Sequence, residues 1–200
     1  MLRHYPKLAH ASEEIAAIEQ SFPNVAKVLV TGARANPSAY AESRPEQFSM
    51  IHFTAHGLAN RTTPLDSAVI LSPKSGAFLL YARDIADQPL HAQLVTIASC
   101  RSAGAKSYPG EGLLGLAWAF PRVGAADVIA GLWDVNDKST AEIMAGLYVG
   151  LAAGKRPADA LRSAKLAMTR RTDSYRKPYY WGPFQNYIGV EASISDTDER

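Results

Sequence analysis

Three short apolar runs constrain this chain more than any other feature: FSMIHFTA (48–55), LVTIASC (94–100) and DVIAGLWDV (127–135). Each is dominated by β-branched, aromatic or aliphatic residues and ends in a polar or glycine-containing break, the pattern of a strand buried on both faces. The stretches between them carry helical spacing. Ser12 reads as an N-cap with Glu13 and Glu14 in the first turn, Ile15, Ile18 and Phe22 on one face, and Pro23 as the stop. Leu113, Leu116, Ala117 and Phe120 predict a helix from Gly112 that Pro121 ends or bends. Ser139 to Glu142 has capping-box spacing, followed by the apolar face Ile143, Met144, Leu147, Tyr148, Leu151 and a closing Gly154. Pro157 opens another helix with Leu161, Ala164 and Met168 inward.

Further elements follow from local signals. KVLVT (27–31) reads as a short strand ending at Gly32, and residues 33–47 as one short helix. SAVILS (67–72) is a strand or a hairpin arm opposite Phe78 to Tyr81, with a brief helix over 82–86. WGPFQNYIGV (181–190) closes with a strand, and the polar residues 191–200 form a frayed tail. Strands alternating with helices predict an α/β fold with a mostly parallel sheet covered on both faces. Residues 1–190 are expected to form a single domain.

Composition narrows the function classes. The chain has 200 residues, 47 % hydrophobic and 20 % charged, so it is neither disordered nor a small disulfide scaffold. A net charge of +2 argues against general nucleic-acid binding. No apolar run approaches the ~20 residues of a membrane span. MLRHYPKLAHASEE lacks the apolar core of a signal peptide, so the expected location is cytoplasmic.

The chemistry centres on Cys100, the one cysteine in the sequence. It stands where an apolar strand stops, and the carboxyl edge of a parallel sheet is where ligands bind. His56 also ends an apolar strand, and Gly57 follows it. Neighbouring strands lie ~4.8 Å apart, so two such ends can approach one substrate carbonyl. A thiol with an ordinary pKa of ~8.5 is mostly protonated at neutral pH and needs a base to become a nucleophile. The N–H groups of Gly57 and Cys100 would then serve as an oxyanion hole. Spacing leaves a second reading open, in which Cys100 is a small core hydrophobe. His52, inside its strand, reads as a hydrogen-bonded core histidine. His52, His56 and His91 lack compact metal-ligand spacing, and no metal or cofactor is expected.

Taken in order, IHFTAHG (51–57), LDSAVILS (65–72), LVTIASC (94–100), GEGLLGLAWAF (110–120), GAADVIAGLWDVNDKSTAEIM (124–144), the helix 154–167 and YYWGPFQNYIG (179–189) resemble the CHAT domain. That family belongs with the caspase-like cysteine peptidases, the clan of caspases, separases and gingipains. The resemblance covers about residues 12–190 and implies a caspase-like three-layer α/β/α sandwich with a Cys-His dyad. The family's histidine falls on His56, its oxyanion glycine on Gly57, its nucleophile on Cys100, and its first, structural histidine on His52. Asp134 resembles an acid of the clan's LWDV stretch and is expected, with Asp137, to bind a basic substrate residue. Asp137 reads equally as an acid stabilising a helix N-terminus.

Departures from the family pattern are also present. Arg101 stands where many members carry Glu after the cysteine, which favours thiolate. Pro121 interrupts a helix that is usually continuous, and the amino-terminal part is short relative to the family. The loop 101–111, with Lys106, reads as an uncut flexible loop, with processing there as the alternative. The implied function is a cysteine endopeptidase acting on a protein partner, with an upstream helical-repeat or sensor region or a separate regulator. The alternative is a catalytically silent caspase-like interaction or scaffold module.

Overall fold

A computed structural model describes Tyr5 and residues 7–60, 62–98, 114–133 and 136–189. In chain order its elements are α1 (Ala11–Ser21), α2 (Pro37–Glu42), β1 (Met50–Phe53), β2 (His56–Leu58), β3 (Ala68–Lys74), β4 (Ala77–Tyr81), α3 (Ala82–Ala86), β5 (Leu94–Ile97), α4 (Leu114–Arg122), β6 (Asp127–Gly131), α5 (Asp137–Ala152), α6 (Pro157–Thr169) and β7 (Phe184–Ile188), joined in places by 3-10 turns.

The central sheet has the order β1–β5–β6–β7. β1, β5 and β6 are parallel, and β7 returns antiparallel along β6. The pleat sends alternate residues to opposite faces. Val95 and Ile97 of β5, with Val128 and Ala130 of β6, meet α3, α4 and Tyr40 of α2. Leu94 and Ile129 meet α5 and α6, with Ile18 of α1 and Phe22 just after it packed beside them. The result is an α/β/α sandwich with two apolar layers. Each fully buried Leu, Ile or Val contributes about 1.5–3 kcal/mol before chain entropy is counted.

A second sheet, β2–β3–β4, is antiparallel. β3 is therefore both a strand and a hairpin arm, turning at Ser75 and Gly76, whose φ values of 51° and 85° suit the mirror-image turns of tight hairpins. α3 and α6 form where the sequence places them. α5 ends in a Schellman arrangement: Lys155 N–H bonds Gly150 O, Gly154 N–H bonds Leu151 O, and Gly154 takes φ 80°.

Several local expectations are corrected. Residues 27–31 are in no ladder among the described residues, and Val28 is 61 % exposed. β-branched composition favours a strand only where neighbours cover it. α1 begins at Ala11, its N-cap position is His10, and Ser12 lies within the helix. α5 begins at Asp137, and Asn136 rather than Ser139 caps it by accepting from the N–H groups of Lys138 and Ser139. Residues 33–47 divide into α2 and two 3-10 turns. The apolar run 48–55 holds β1, and His56 opens β2 in the second sheet. Pro121 neither ends nor visibly shortens α4 before Arg122; it occupies the last turn, where continuation of the helix is no longer required. The tail 191–200 lies outside the described residues.

Candidate functional site

Parallel pairing of β1 with β5 sets the geometry of the carboxyl edge. The register runs from Met50 beside Leu94 to Phe53 beside Ile97. One more bond, from Ala98 N–H to Phe53 O at 3.0 Å, carries the pairing past the strand ends. Beyond Phe53 the chain crosses into β2, where His56 and Gly57 pair with Ile70 and Val69. Both partners are buried, so β2 is clamped against an apolar strand. His56 is only 8 % exposed although it lies just past a strand end. The Tyr5 ring lies against it, with centroids 5.8 Å apart and planes tilted by 39°.

Beneath this edge lies a polar network of which sequence reasoning found only His52, as a hydrogen-bonded core histidine. Glu14 of α1 is 1 % exposed. Its Oε1 is 2.6 Å from His52 Nε2 and accepts from Thr54 Oγ1 at 2.8 Å. His52 Nδ1 lies 3.0 Å from the Tyr148 hydroxyl of α5, which also donates to Thr96 Oγ1 at 3.4 Å. The cluster joins α1, β1, β5 and α5. Burial pushes the Tyr148 phenol well above its ordinary value, and the nearby Glu14 carboxylate acts in the same direction, while the Thr96 bond opposes them. The sequence signal was available: Glu14, Ile18 and Phe22 follow at intervals of four, so Glu14 shares the inward stripe.

The carboxyl end of β6 is braced differently. Trp133 donates through Nε1 to Tyr179 O at 3.2 Å. Asp137 at the head of α5 accepts the His10 N–H on Oδ2 at 2.8 Å, tying the start of α1 to that edge. The amino end of α4 packs on the 64–66 turn so closely that a Cβ on Gly115 would fall on the Pro64 carbonyl oxygen. That turn is itself held by an Arg83–Asp66 ion pair.

The structure thus places His56 and Gly57 together at the carboxyl edge of the parallel strands. His52 stands apart within β1, bonded to Glu14 and Tyr148. Asp137 contacts the backbone of His10. Cys100 with its N–H, Arg101, Lys106 and Asp134 lie outside the described residues. His91, with Asp87 and Arg122, lines an open depression of about 510 Å³ near the amino ends of the strands. No group of three potential metal ligands occurs among the described residues. No helix among them is long and apolar enough to cross a membrane.

Comparison with curated proteins gives no match. A family model, the CHAT domain, matches residues 2–189. That match spans both sheets and the six helices among the described residues, and it begins nearer the amino end than the motif resemblance from about residue 12. The mostly parallel sheet between two helical layers agrees with it. The chain therefore belongs to the CHAT domain family, a caspase-like, peptidase-related family.

Proposed function

We propose that this protein is a cysteine endopeptidase in which His56 is the base and Cys100 the nucleophile. One observation carries the reading: Phe53 and Ile97 are paired neighbours in parallel strands. His56 and Cys100 each follow that pair by three residues. Two chains leaving one edge in parallel from adjacent positions start ~4.8 Å apart. This separation suits a thiol and an imidazole serving one carbonyl.

In the proposed reaction His56 takes the Cys100 proton. The thiolate sulfur attacks the scissile carbonyl, and the N–H groups of Gly57 and Cys100 stabilise the oxyanion. His56 then protonates the departing amine, and water hydrolyses the thioester, releasing the acid and restoring the thiol. Arg101, adjacent in sequence, favours thiolate. Asp134 is assigned the recognition of a basic side chain before the scissile bond. Asp137 is the second acid assigned to that role, with its Oδ2 accepting the His10 N–H at 2.8 Å. The substrate is a protein partner, and control by a sensor region or separate regulator fits a site of this kind.

Cys100 is the only thiol in the sequence, so thiol labelling reports on it alone. The test is cleavage of a peptide library, together with labelling by a peptidyl acyloxymethyl ketone ending in Arg. Wild type should cleave and be labelled. Cys100→Ala should do neither, and His56→Ala should lose at least ~100-fold in both rates. Cleavage retained in Cys100→Ala, or unchanged labelling in His56→Ala, would overturn the assignment. A folded wild-type protein that does neither would be the silent interaction module instead.

A further inference from the structure

We propose that the segment carrying Tyr5 is an internal cover across the candidate active edge, anchored at Asp137, which a peptide must displace to reach His56. Its consequence for catalysis rests on the peptidase reading, whereas the cover itself rests on geometry. Two contacts define it. Tyr5 lies on the His56 ring with centroids 5.8 Å apart. Five residues later, the His10 N–H is held by Asp137 Oδ2 at 2.8 Å.

The sheet order gives these anchors their meaning. His56 follows β1, Asp137 follows β6, and β5 lies between those two strands. The anchors therefore straddle the carboxyl end of the strand that leads to Cys100. Two strand spacings amount to ~10 Å, and five residues can reach ~17 Å when extended. The segment is long enough to cross that edge. A peptide presented to His56 would have to displace the Tyr5 ring lying against it, so the segment competes with it.

The cover is tested on the full chain by the rate of diethyl pyrocarbonate modification at each histidine, read by peptide mapping. Tyr5→Ala should expose His56 and raise its rate about two- to ten-fold, the range expected for losing one aromatic contact. Asp137→Ala should also raise it by freeing the far anchor. Tyr5→Phe, which keeps the ring, should match wild type, and His91 should be unchanged throughout. An unchanged His56 rate in both alanine variants would overturn the proposal. A parallel rise at His52, half-buried against Glu14 of α1, would mark general loosening and overturn it equally. In Tyr5→Ala, Cys100 labelling by the peptidyl reagent should accelerate by a similar factor. If His56 is uncovered while no variant is labelled, the cover stands and the peptidase reading fails.

Discussion

Glu14 Oε1 and His52 Nε2 are 2.6 Å apart in a site where Glu14 is 1 % exposed, so one hydrogen-bonded pair fastens α1 to the sheet directly below the edge that carries His56. Removing either member leaves the other's polar atoms buried without that contact, a loss larger than the bond's net worth. Glu14→Ala should cost about 3 kcal/mol in urea unfolding, and Glu14→Gln, which keeps an acceptor, distinctly less. Equal and small losses in the two variants would show that the pair is not stabilising α1.

Gly115→Ala should be among the most damaging single-methyl changes in the molecule. The added Cβ meets a backbone carbonyl, that of Pro64, which cannot rotate aside. Overpacking of this kind costs about 3 kcal/mol, against about 1 kcal/mol gained from helix propensity. The expected result is a net loss of about 2 kcal/mol in chemical denaturation, with α4 and the 64–66 turn showing faster amide exchange. Unaltered stability would mean that the helix and turn separate without penalty.

Tyr40 and Tyr148 should resist ionisation. Burial raises both phenols above their usual value of about 10, with the Glu46 charge adding to the effect at Tyr40. The folded state then holds protons that the unfolded chain has released. Their contribution to stability is complete below about pH 10 and is lost as pH rises above it. At about pH 11 the native protein should show fewer phenolates by ultraviolet absorbance than the denatured chain. That difference should shrink in Tyr40→Phe and in Tyr148→Phe; a native titration identical to the denatured one would contradict the burial of both groups.

On the peptidase reading, Asp134→Asn should lower kcat/KM for substrates with Arg or Lys before the scissile bond by roughly 100-fold, the scale of losing one partner from a desolvated charge pair. Hydrolysis of substrates with an uncharged residue there should change little. A uniform loss across both substrate classes would remove Asp134 from the recognition role.

The layers of the fold were legible in the sequence because burial on two faces leaves a mark. The runs around Ile51, Val95 and Val128 are apolar almost without interruption, and those segments form the parallel strands. Helix ends were less legible. Ser12 and Ser139 have the right chemistry for caps, yet His10 and Asn136 occupy the cap positions: a tertiary bond to Asp137 holds the His10 N–H, and Asn136 is itself a strong local cap for Lys138 and Ser139. The strand expected at 27–31 illustrates the same limit, since residue type says nothing about whether a neighbour is present. At the candidate site, strand ends pointed to His56 and Gly57. The Tyr5 and Asp137 contacts could not be read, because each joins segments remote in sequence through a single ring or backbone N–H.

The sheet order also carries a kinetic consequence. Leu94 pairs with Met50 across 44 positions, and Asp127 with Leu94 across 33. Chains dominated by such distant pairings fold slowly, since each must close a loop before any contact repays it. At roughly 5–20 residues per second, β1 leaves the ribosome about 2–9 s before its partner does. The two halves of the proposed dyad are thus drawn together only after the nascent chain has carried an unpaired hydrophobic strand for seconds, an interval in which a chaperone has the opportunity to bind.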